Sequence, residues 1–217
     1  MMEKILNITN GDAFNEYFLT KCGGEAVPFR EAMLGGNATT SIYSDEFIRL
    51  RTAELNVNLE EYRKNMLVYD ALIKKEYSEL CLWFGKDTFC QMNLLTLLAY
   101  LEKTKFSGSV VLNYIDDESF NVLETGIVIE LGIYQKLYET IILSKQMPSK
   151  FGVLVPRAIE LYFDYHSDSG ALAQIVRDNA DKEDMALVCL LLENSKEYGL
   201  SDVGAEELVK KYRQKTR

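Results

Sequence analysis

The sequence predicts an α/β protein with a Rossmann-like, mostly parallel sheet in residues 1–125 and an all-helical region in residues 126–217. Two patterns lead to this fold class. In the first part, apolar runs of strand length alternate with helical stretches, which is the order of parallel α/β construction with right-handed crossovers. From Glu130 onward, apolar residues recur only at helical spacing. A hydrophobic fraction of 47% over 217 residues is ample for a core.

The N-terminal elements are defined by their end signals. The first helix should stop at Gly23-Gly24, since glycine accepts the left-handed conformation of a helix cap. Ser44 and Asn58 are residue types that cap helix N-termini, and Glu61 completes a capping box with Asn58. The expected elements are strands over 5–9 and 25–29 and helices over 13–21, from about 45, and over 59–75.

The middle of the chain gives the strongest strand–helix–strand pattern. Leu80–Phe84 is a continuous apolar run, as expected for a strand buried on both faces. A Gly85-Lys86-Asp87 turn then leads into a leucine-rich helix over 88–103, and the next strand covers 109–115. Five further helices are expected at about 130–145, 153–166, 171–180, 183–197 and 202–215.

Composition and charge exclude several classes of function. The only histidine is His166, so a paired-histidine zinc site is impossible and any histidine-dependent nucleophile would have to use this residue. The 24 basic and 33 acidic residues give a net charge of −9, which disfavours nucleic acid and acidic membranes as partners. The last two helices have a helix-turn-helix rhythm and a basic end, which we interpret as a solvated helical hairpin rather than a DNA-binding unit.

The expected compartment follows from what the chain lacks. No run of about eighteen apolar residues occurs, and the start lacks the long apolar core of a secretory signal, so we expect a cytoplasmic protein without a membrane partner. The four cysteines form no C-x-x-C pair and imply no disulfide framework. Cys81 and Cys189 lie in apolar runs, and neither Cys22 nor Cys90 has an activating neighbour in the sequence.

Two aspartates occupy equivalent positions after predicted strands. Asp12 follows the first strand and Asp87 follows the Leu80–Phe84 strand, each just before a helix. Both could simply be helix N-caps. Because ligands of parallel α/β sheets bind beyond the carboxyl ends of the strands, the two could also project into one crevice as a catalytic acid/base pair or as metal ligands. The two interpretations are compatible.

Other polar residues are candidates for ligand contacts. There is no phosphate-binding loop, so a phosphate would need compensation from Arg30, Arg49, Arg51 or a divalent ion. Arg51 is a candidate anion clamp, and Gln91, in the first turn of a helix, could read a polar ligand. Asp116-Asp117-Glu118 is interpreted as a solvated acidic turn, with a Mg²⁺ or Ca²⁺ site as the alternative. We assign no residue as a metal ligand and no cofactor.

Three segments of the chain resemble an uncharacterised bacterial family, the domain of unknown function numbered eighteen-thirty-five. They are residues 8–12, with Gly11-Asp12; residues 27–36; and residues 82–95, similar to the family signature L-W-F-x-x-D-x-F-x-Q-x-x-L-L. The chain departs from the family at Phe29 and Gly36, where tryptophan and proline are usual. The resemblance implies that Asp12, Arg30, Glu31, Asp87 and Gln91 belong to one shared crevice. It supplies no substrate.

The resulting functional hypothesis is a small-molecule site at the carboxyl ends of the strands. Asp12 and Asp87 would be its catalytic carboxylates, and Arg30, Glu31, Arg51 and Gln91 would bind the substrate. A nucleotide or phosphorylated metabolite is the expected ligand class. The alternative is a non-enzymatic regulatory or interaction module that binds a protein partner, or a second copy of itself, through the helices.

Overall fold

The computed structural model describes residues 4–74 and 76–214, and it confirms the predicted α/β fold class. Five strands form one sheet in the order β2-β1-β3-β4-β5, an order found in doubly wound sheets. The strands are β1 (Ile5–Asn10), β2 (Ala26–Phe29), β3 (Glu79–Phe84), β4 (Ser109–Ile115) and β5 (Val122–Val128). The first four pair in parallel, whereas β5 runs antiparallel to β4 along one edge.

The helices follow the predicted order closely. In the N-terminal half they are α1 (Asp12–Lys21), α2 (Asp45–Glu54), α3 (Leu59–Asn65), α4 (Leu67–Ile73) and α5 (Thr88–Lys103). The C-terminal half contains α6 (Tyr134–Tyr138), a π-helix (Glu139–Leu143), α7 (Pro156–His166), α8 (Ala171–Asp178), α9 (Asp184–Glu193), a 3₁₀ turn (Lys196–Tyr198) and α10 (Asp202–Gln214). Ser44 and Asn58 are the N-caps that their residue types predict.

The two faces of the sheet are covered unequally. Alternate strand residues such as Leu6, Leu82 and Leu112 face a large core that contains α5 and extends to α6 and α7. On the opposite face α1 forms a smaller cluster, in which Phe14 and Phe18 contact Trp83. Helix α5 is therefore enclosed between the sheet and the helices that follow, which explains why its leucines occur on every side.

The C-terminal helices have their own core but remain joined to the sheet layer. Residues of α8, α9 and α10 form a second apolar cluster, whereas α7 contributes Leu161 to that cluster and Tyr162 to the core beside the sheet. Thr88, at the start of α5, donates a 3.1 Å hydrogen bond to the carbonyl of Glu197. The predicted division at residue 125 stays a prediction, because β5 runs across that position and α6 packs on α5.

Three details differ from the sequence expectation. The helix expected over 59–75 is broken at Met66, whose side chain is buried and whose backbone leaves the helical region; Lys75 lies outside the described residues. Strand β5 has no apolar alternation because nearly all its residues are exposed, so its pattern did not predict it. The π-helix interrupts the helix expected over 130–145. Within the described ranges, no helix combines the length and apolar character needed to cross a bilayer.

Candidate functional site

A cavity of about 750 Å³ opens at the carboxyl ends of β1, β3 and β4. This is the switch point of the sheet: β1 and β3 are neighbours, but α1 and α5, which follow them, cover opposite faces. Asn10, the last residue of β1, and Asp87 and Asp117, which follow β3 and β4, lie on the cavity wall. The opposite wall comes from the C-terminal half, including Arg157 and Gly199. One wall of the cavity is therefore formed by the C-terminal helical region, which the sequence analysis placed in a separate unit from the sheet.

Asp87 has the first of its two predicted roles. Its carboxylate caps α5 and accepts a 3.0 Å hydrogen bond from the backbone N–H of Cys90. Asp87 also lines the cavity. The N-cap interpretation is therefore confirmed for this residue, and its catalytic role stays a prediction.

Asp117 and Cys90 complete a compact cluster with Asp87. One ligand atom from each of the three residues lies within 4.8 Å of those of the other two. The Cys90 thiol lies 3.5 Å and 3.6 Å from the two carboxylate oxygens of Asp117, to which it can donate, and Asn10 Nδ2 donates to the sulfur at 2.8 Å. We call Asp87, Cys90 and Asp117 the carboxylate–thiol cluster.

The electrostatics of this cluster favour a bound proton or cation. Asp117 is exposed as a residue, but its carboxyl is turned toward the cluster. Burial of that carboxyl, followed by its hydrogen bond to Asp87 and the charge of that carboxylate, raises the pKa of Asp117 to about 7. Burial and the two adjacent carboxylates raise the pKa of the Cys90 thiol well above its usual range. Near neutral pH we expect a neutral Cys90 thiol and an Asp117 carboxyl that is about half protonated.

Two glycines allow the cluster to form. A Cβ at Gly85 would lie 1.7 Å from an Asp117 carboxylate oxygen, so no other residue fits without moving Asp117. A Cβ at Gly199 would lie 2.1 Å from the Asp87 carboxylate, and Gly199 also has the left-handed φ of +64°. The backbone of the C-terminal half at Gly199 thus packs directly against the Asp87 carboxylate.

The rest of the cavity is apolar with a charged rim. Phe89, Ile115, Leu161 and Leu200 contribute apolar surface. The lining cations are Lys86, Arg157 and Lys196, each in an exposed ion pair with a carboxylate. Exposed pairs of this kind contribute only about 0–1 kcal/mol, so the three cations can re-pair with an incoming anion at small cost.

The first arginine–aspartate pair lies away from the cavity lining. Asp12 is the first residue of α1, whose N-cap is Gly11, and its carboxylate receives the Arg30 guanidinium at 2.7 Å. Arg30 also donates to the carbonyl of Asn65 at 3.1 Å, at the end of α3. Neither Asp12 nor Arg30 lines the 750 Å³ cavity. The expectation that Asp12 and Asp87 face one crevice is corrected: the partner of Asp87 is Asp117.

Glu31 and Arg51 form a buried pair whose groups are occupied by the protein itself. Both side chains are fully buried, with a 3.4 Å contact between Arg51 Nε and Glu31. The guanidinium donates to the carbonyls of Ala32, Gly35 and Asn37 at 2.9–3.1 Å. An incoming anion therefore meets no free face of Arg51, and this geometry explains the pair as the anchor of the loop after β2 instead of the expected substrate contact.

Gln91 and His166 also lie behind or away from the cavity wall. Gln91 is fully buried, donates to the carbonyl of Gly85 at 2.7 Å and accepts from the N–H of Val155 at 2.9 Å. It orients the turn that carries Asp87 and ties that turn to the segment before α7. His166 ends α7 and contacts the carbonyl of Leu34 at 3.0 Å, so neither residue reads a ligand directly.

The carboxylate–thiol cluster is the group of described residues that could hold a metal ion. Two carboxylate oxygens and one sulfur are a ligand set suited to a borderline divalent ion such as Zn²⁺, and carboxylates alone also suit Mg²⁺. Coordination would require the Cys90 thiol to lose its proton, which a cation between Asp87 and Asp117 favours.

Asp117 and Cys90 are not among the site residues predicted from the sequence. Asp117 was interpreted as part of a solvated turn, with a Mg²⁺ or Ca²⁺ site as the alternative. The solvated interpretation fits its neighbours, because Asp116 accepts from Ser119 at 2.8 Å and Glu118 pairs with Lys196 at 2.8 Å. A usable signal was present, because Asp117 follows the end of β4 as Asp87 follows β3. Cys90 lies one helical turn from Asp87, but its other neighbours are remote in sequence.

Comparison with known proteins gives no relative: no protein-family model, no curated protein and no solved structure matches this chain. The resemblance to the uncharacterised bacterial family, carried by residues 8–12, 27–36 and 82–95, therefore stays a prediction. The functional argument rests on the geometry of the cavity and of the carboxylate–thiol cluster.

Proposed function

We propose that this protein binds, or acts on, a nucleotide or other phosphorylated small molecule in the cavity at the carboxyl ends of β1, β3 and β4. The observation that carries the proposal is the placement of the Asp87 and Asp117 carboxyls together on the wall of a cavity of about 750 Å³. That volume lies within the range of small-molecule sites. Its apolar wall suits the flat face of a nucleobase or another ring, and its polar end suits a charged group.

The charge arrangement supports a phosphorylated ligand in two ways. First, Lys86, Arg157 and Lys196 surround the cavity in weak exposed pairs, so they are available to a phosphate. Second, a divalent cation between Asp87 and Asp117 would neutralise both carboxylates and bind phosphate oxygens on its open side. The arginines suggested by the sequence, Arg30 and Arg51, are not needed in this arrangement.

For an acting enzyme, Asp87 and Asp117 provide an acid–base pair. A carboxyl with a pKa near 7 can deliver or accept a proton at neutral pH, and Asp117, beside Asp87, has that property. Cys90 lies next to both carboxyls, and its raised pKa keeps the thiol neutral. A neutral thiol suits a positioning role better than a nucleophilic one.

A ligand screen by thermal shift tests the proposal. The full chain is heated with nucleotides and sugar phosphates, each with and without Mg²⁺ or Zn²⁺, and a ligand at a hundred times its Kd should add about 2.7 kcal/mol of stability. Asp117→Asn should weaken the apparent affinity for the ligand at least tenfold and thereby reduce the thermal shift. The reason is that the substitution removes both the charge and the proton of the Asp117 carboxyl. Asp12→Asn, outside the cavity, should leave the shift unchanged.

The same screen decides between the two hypotheses from sequence. If no ligand class shifts the melting temperature, or if Asp117→Asn keeps the full response, the small-molecule site is contradicted. The alternative, a regulatory or interaction module without a ligand, then becomes the better explanation.

A further inference from the structure

A second cluster of titratable groups lies at the end of α7, away from the carboxylate–thiol cluster. Lys145 directs its amine at Tyr162 and His166: Nζ contacts the Tyr162 hydroxyl, lies 4.3 Å from the centre of the Tyr162 ring, and is 3.3 Å from His166 Nε2. Tyr162 is buried, whereas Lys145 is exposed as a residue. The amine is thus packed against a protein surface while small reagents can still reach it.

The backbone holds Lys145 in an unusual conformation. The chain leaves the π-helix at Ser144, and Lys145 adopts a left-handed φ of 51°, which a non-glycine residue adopts only at a cost of about 1 kcal/mol or more. The N–H of Gln146 then bonds to the carbonyl of Thr140 at 2.9 Å. π-Helical turns occur frequently at functional sites, and here the turn sets the direction in which Lys145 projects.

Around the amine, within the described residues, lie the Tyr162 hydroxyl, which accepts a hydrogen bond from Nζ, and nearby cations, but no counter-ion. No carboxylate in the described part of the chain lies within ion-pairing distance of Lys145. His166 Nε2 is 3.0 Å from the Leu34 carbonyl, so it carries the proton and cannot accept from Lys145. Arg51 of α2 adds positive charge, and Lys211 of α10 acts on His166. This arrangement disfavours an ammonium at Lys145.

We propose that Lys145 is a nucleophilic amine that accepts an acyl group from a small activated acyl donor. The neutral Nζ attacks the acyl carbon and forms an N–C bond. The bond from that carbon to the sulfur of a thioester, or to the bridging oxygen of an acyl phosphate, breaks, and the leaving group departs with the electron pair. The amine proton passes to water, and the product is an uncharged amide beside Arg51.

The acid–base properties of the cluster support this step. Burial of the amine, followed by the charge of Arg51, lowers the pKa of Lys145 to about 8 from the ordinary 10.5. Burial, followed by the charge of Lys145, lowers the pKa of His166 to about 4, so the imidazole is neutral near pH 8. At pH 8 about half of Lys145 is neutral, against well under one per cent of an ordinary lysine.

Site-resolved acylation of the full chain tests the proposal. The protein is treated with limiting acetyl phosphate, or with a small acetyl thioester, between pH 6.5 and 10, and acetylation of each lysine is followed by peptide mass spectrometry. At pH 8 Lys145 should react roughly tenfold faster than Lys196, whose pKa is raised by its hydrogen bond to Glu118. The faster of the two donors identifies the source of the acyl group.

A pair of variants at His166 separates this environment from simple exposure. His166→Glu places a carboxylate beside Nζ and should reduce Lys145 acylation to within about twofold of Lys196, whereas His166→Gln should keep most of the preference. Equal rates for Lys145 and Lys196 in the unmodified protein would overturn the proposal. So would a Lys145 rate that is unchanged in folded His166→Glu. If His166→Glu does not fold, the dependence of the Lys145 acylation rate on pH in the unmodified protein decides. A midpoint near pH 8 is expected, and a midpoint above pH 10 would contradict the proposal.

Discussion

Two charged groups of this protein differ in how their charges are compensated. One is the buried pair of Glu31 and Arg51, and the other is the carboxylate–thiol cluster. In the first, one carboxylate meets one guanidinium, and carbonyl acceptors and the Tyr62 hydroxyl occupy the remaining groups. In the second, two carboxyls face each other at the edge of a cavity, and residues 4–74 and 76–214 contain no ion pair to either of them.

This difference separates structural charge from functional charge. A compensated pair in the core holds the loop after β2 in one conformation and leaves nothing for a ligand to satisfy. In the uncompensated pair at the cavity the pKa of Asp117 is raised, so this pair gains most from a proton, a cation or a ligand. Arg51, which suggested an anion site in the sequence, is therefore structural, whereas a turn that was interpreted as solvated contributes Asp117 to the candidate site.

The largest effect expected from this comparison is on stability. Arg51→Met should destabilise the protein by about 3–5 kcal/mol, because it leaves the Glu31 carboxylate buried without its cation. Urea unfolding followed by circular dichroism measures this loss. Arg30→Met is the matched control, since Arg30 is partly exposed and pairs with the exposed Asp12. A loss below about 1 kcal/mol for Arg51→Met would show that the buried pair is not structural.

The second effect is on pH dependence and involves Asp117. Its pKa is about 7 in the folded chain and near the ordinary 3.8 when unfolded, so the folded state holds more protons between these values. The free energy of unfolding should therefore fall as pH rises from about 4 to 7, and Asp117→Asn should abolish that part of the slope.

The informative quantity is the difference in the free energy of unfolding between the unmodified chain and Asp117→Asn. Glu31 and His166 also have shifted pKa values, so the absolute curve contains their contributions, whereas the difference from Asp117→Asn isolates one carboxyl. Above pH 7 Asp117→Asn should be at least as stable as the unmodified chain because it removes a like-charge contact. Parallel stability curves would mean that Asp117 is solvated and that the cluster does not form.

The fold was predictable from sequence because local patterns determine most of it. The leucine-rich helix over 88–103 was located correctly because it is buried on nearly every side. The apolar run ending at Phe84 was also located correctly, although only one face of that strand is fully buried and Cys81 and Trp83 on the other face are partly exposed. β5 was missed because it is an exposed edge strand that pairs through its backbone, so its side chains carry little pattern. The break at Met66 depends on tertiary packing, which hydrophobic spacing does not show.

The site was only partly predictable for a related reason. Asp87 was identified because a rule of parallel sheets places it at a strand end. Its partner Asp117 is 30 positions later and is brought to it by the β3–β4 pairing and by the missing side chain at Gly85. Gly199, more than 100 residues away, closes the other side. Contacts of this kind are a property of tertiary structure and leave no mark on spacing.

The smallest expected effect concerns the pair of Asp12, which is exposed, and Arg30, which is partly exposed. A double-mutant cycle with Asp12→Asn and Arg30→Gln should give a coupling of about 0.2–1 kcal/mol that weakens in salt. Ligand-induced thermal shifts should be unaffected by either change, because neither residue lines the cavity.

A larger result would be informative in a specific way. If Asp12→Asn abolished a ligand response that Asp117→Asn also abolishes, the crevice would have to extend from β3 across the end of β1 to Asp12, as the sequence predicted. Arg30 would then act by releasing Asp12 to the ligand, since its 2.7 Å contact now occupies that carboxylate. A weak coupling with unchanged ligand binding instead places the functional carboxylates on β3 and β4 alone, and makes charge compensation the property that separates them from Asp12.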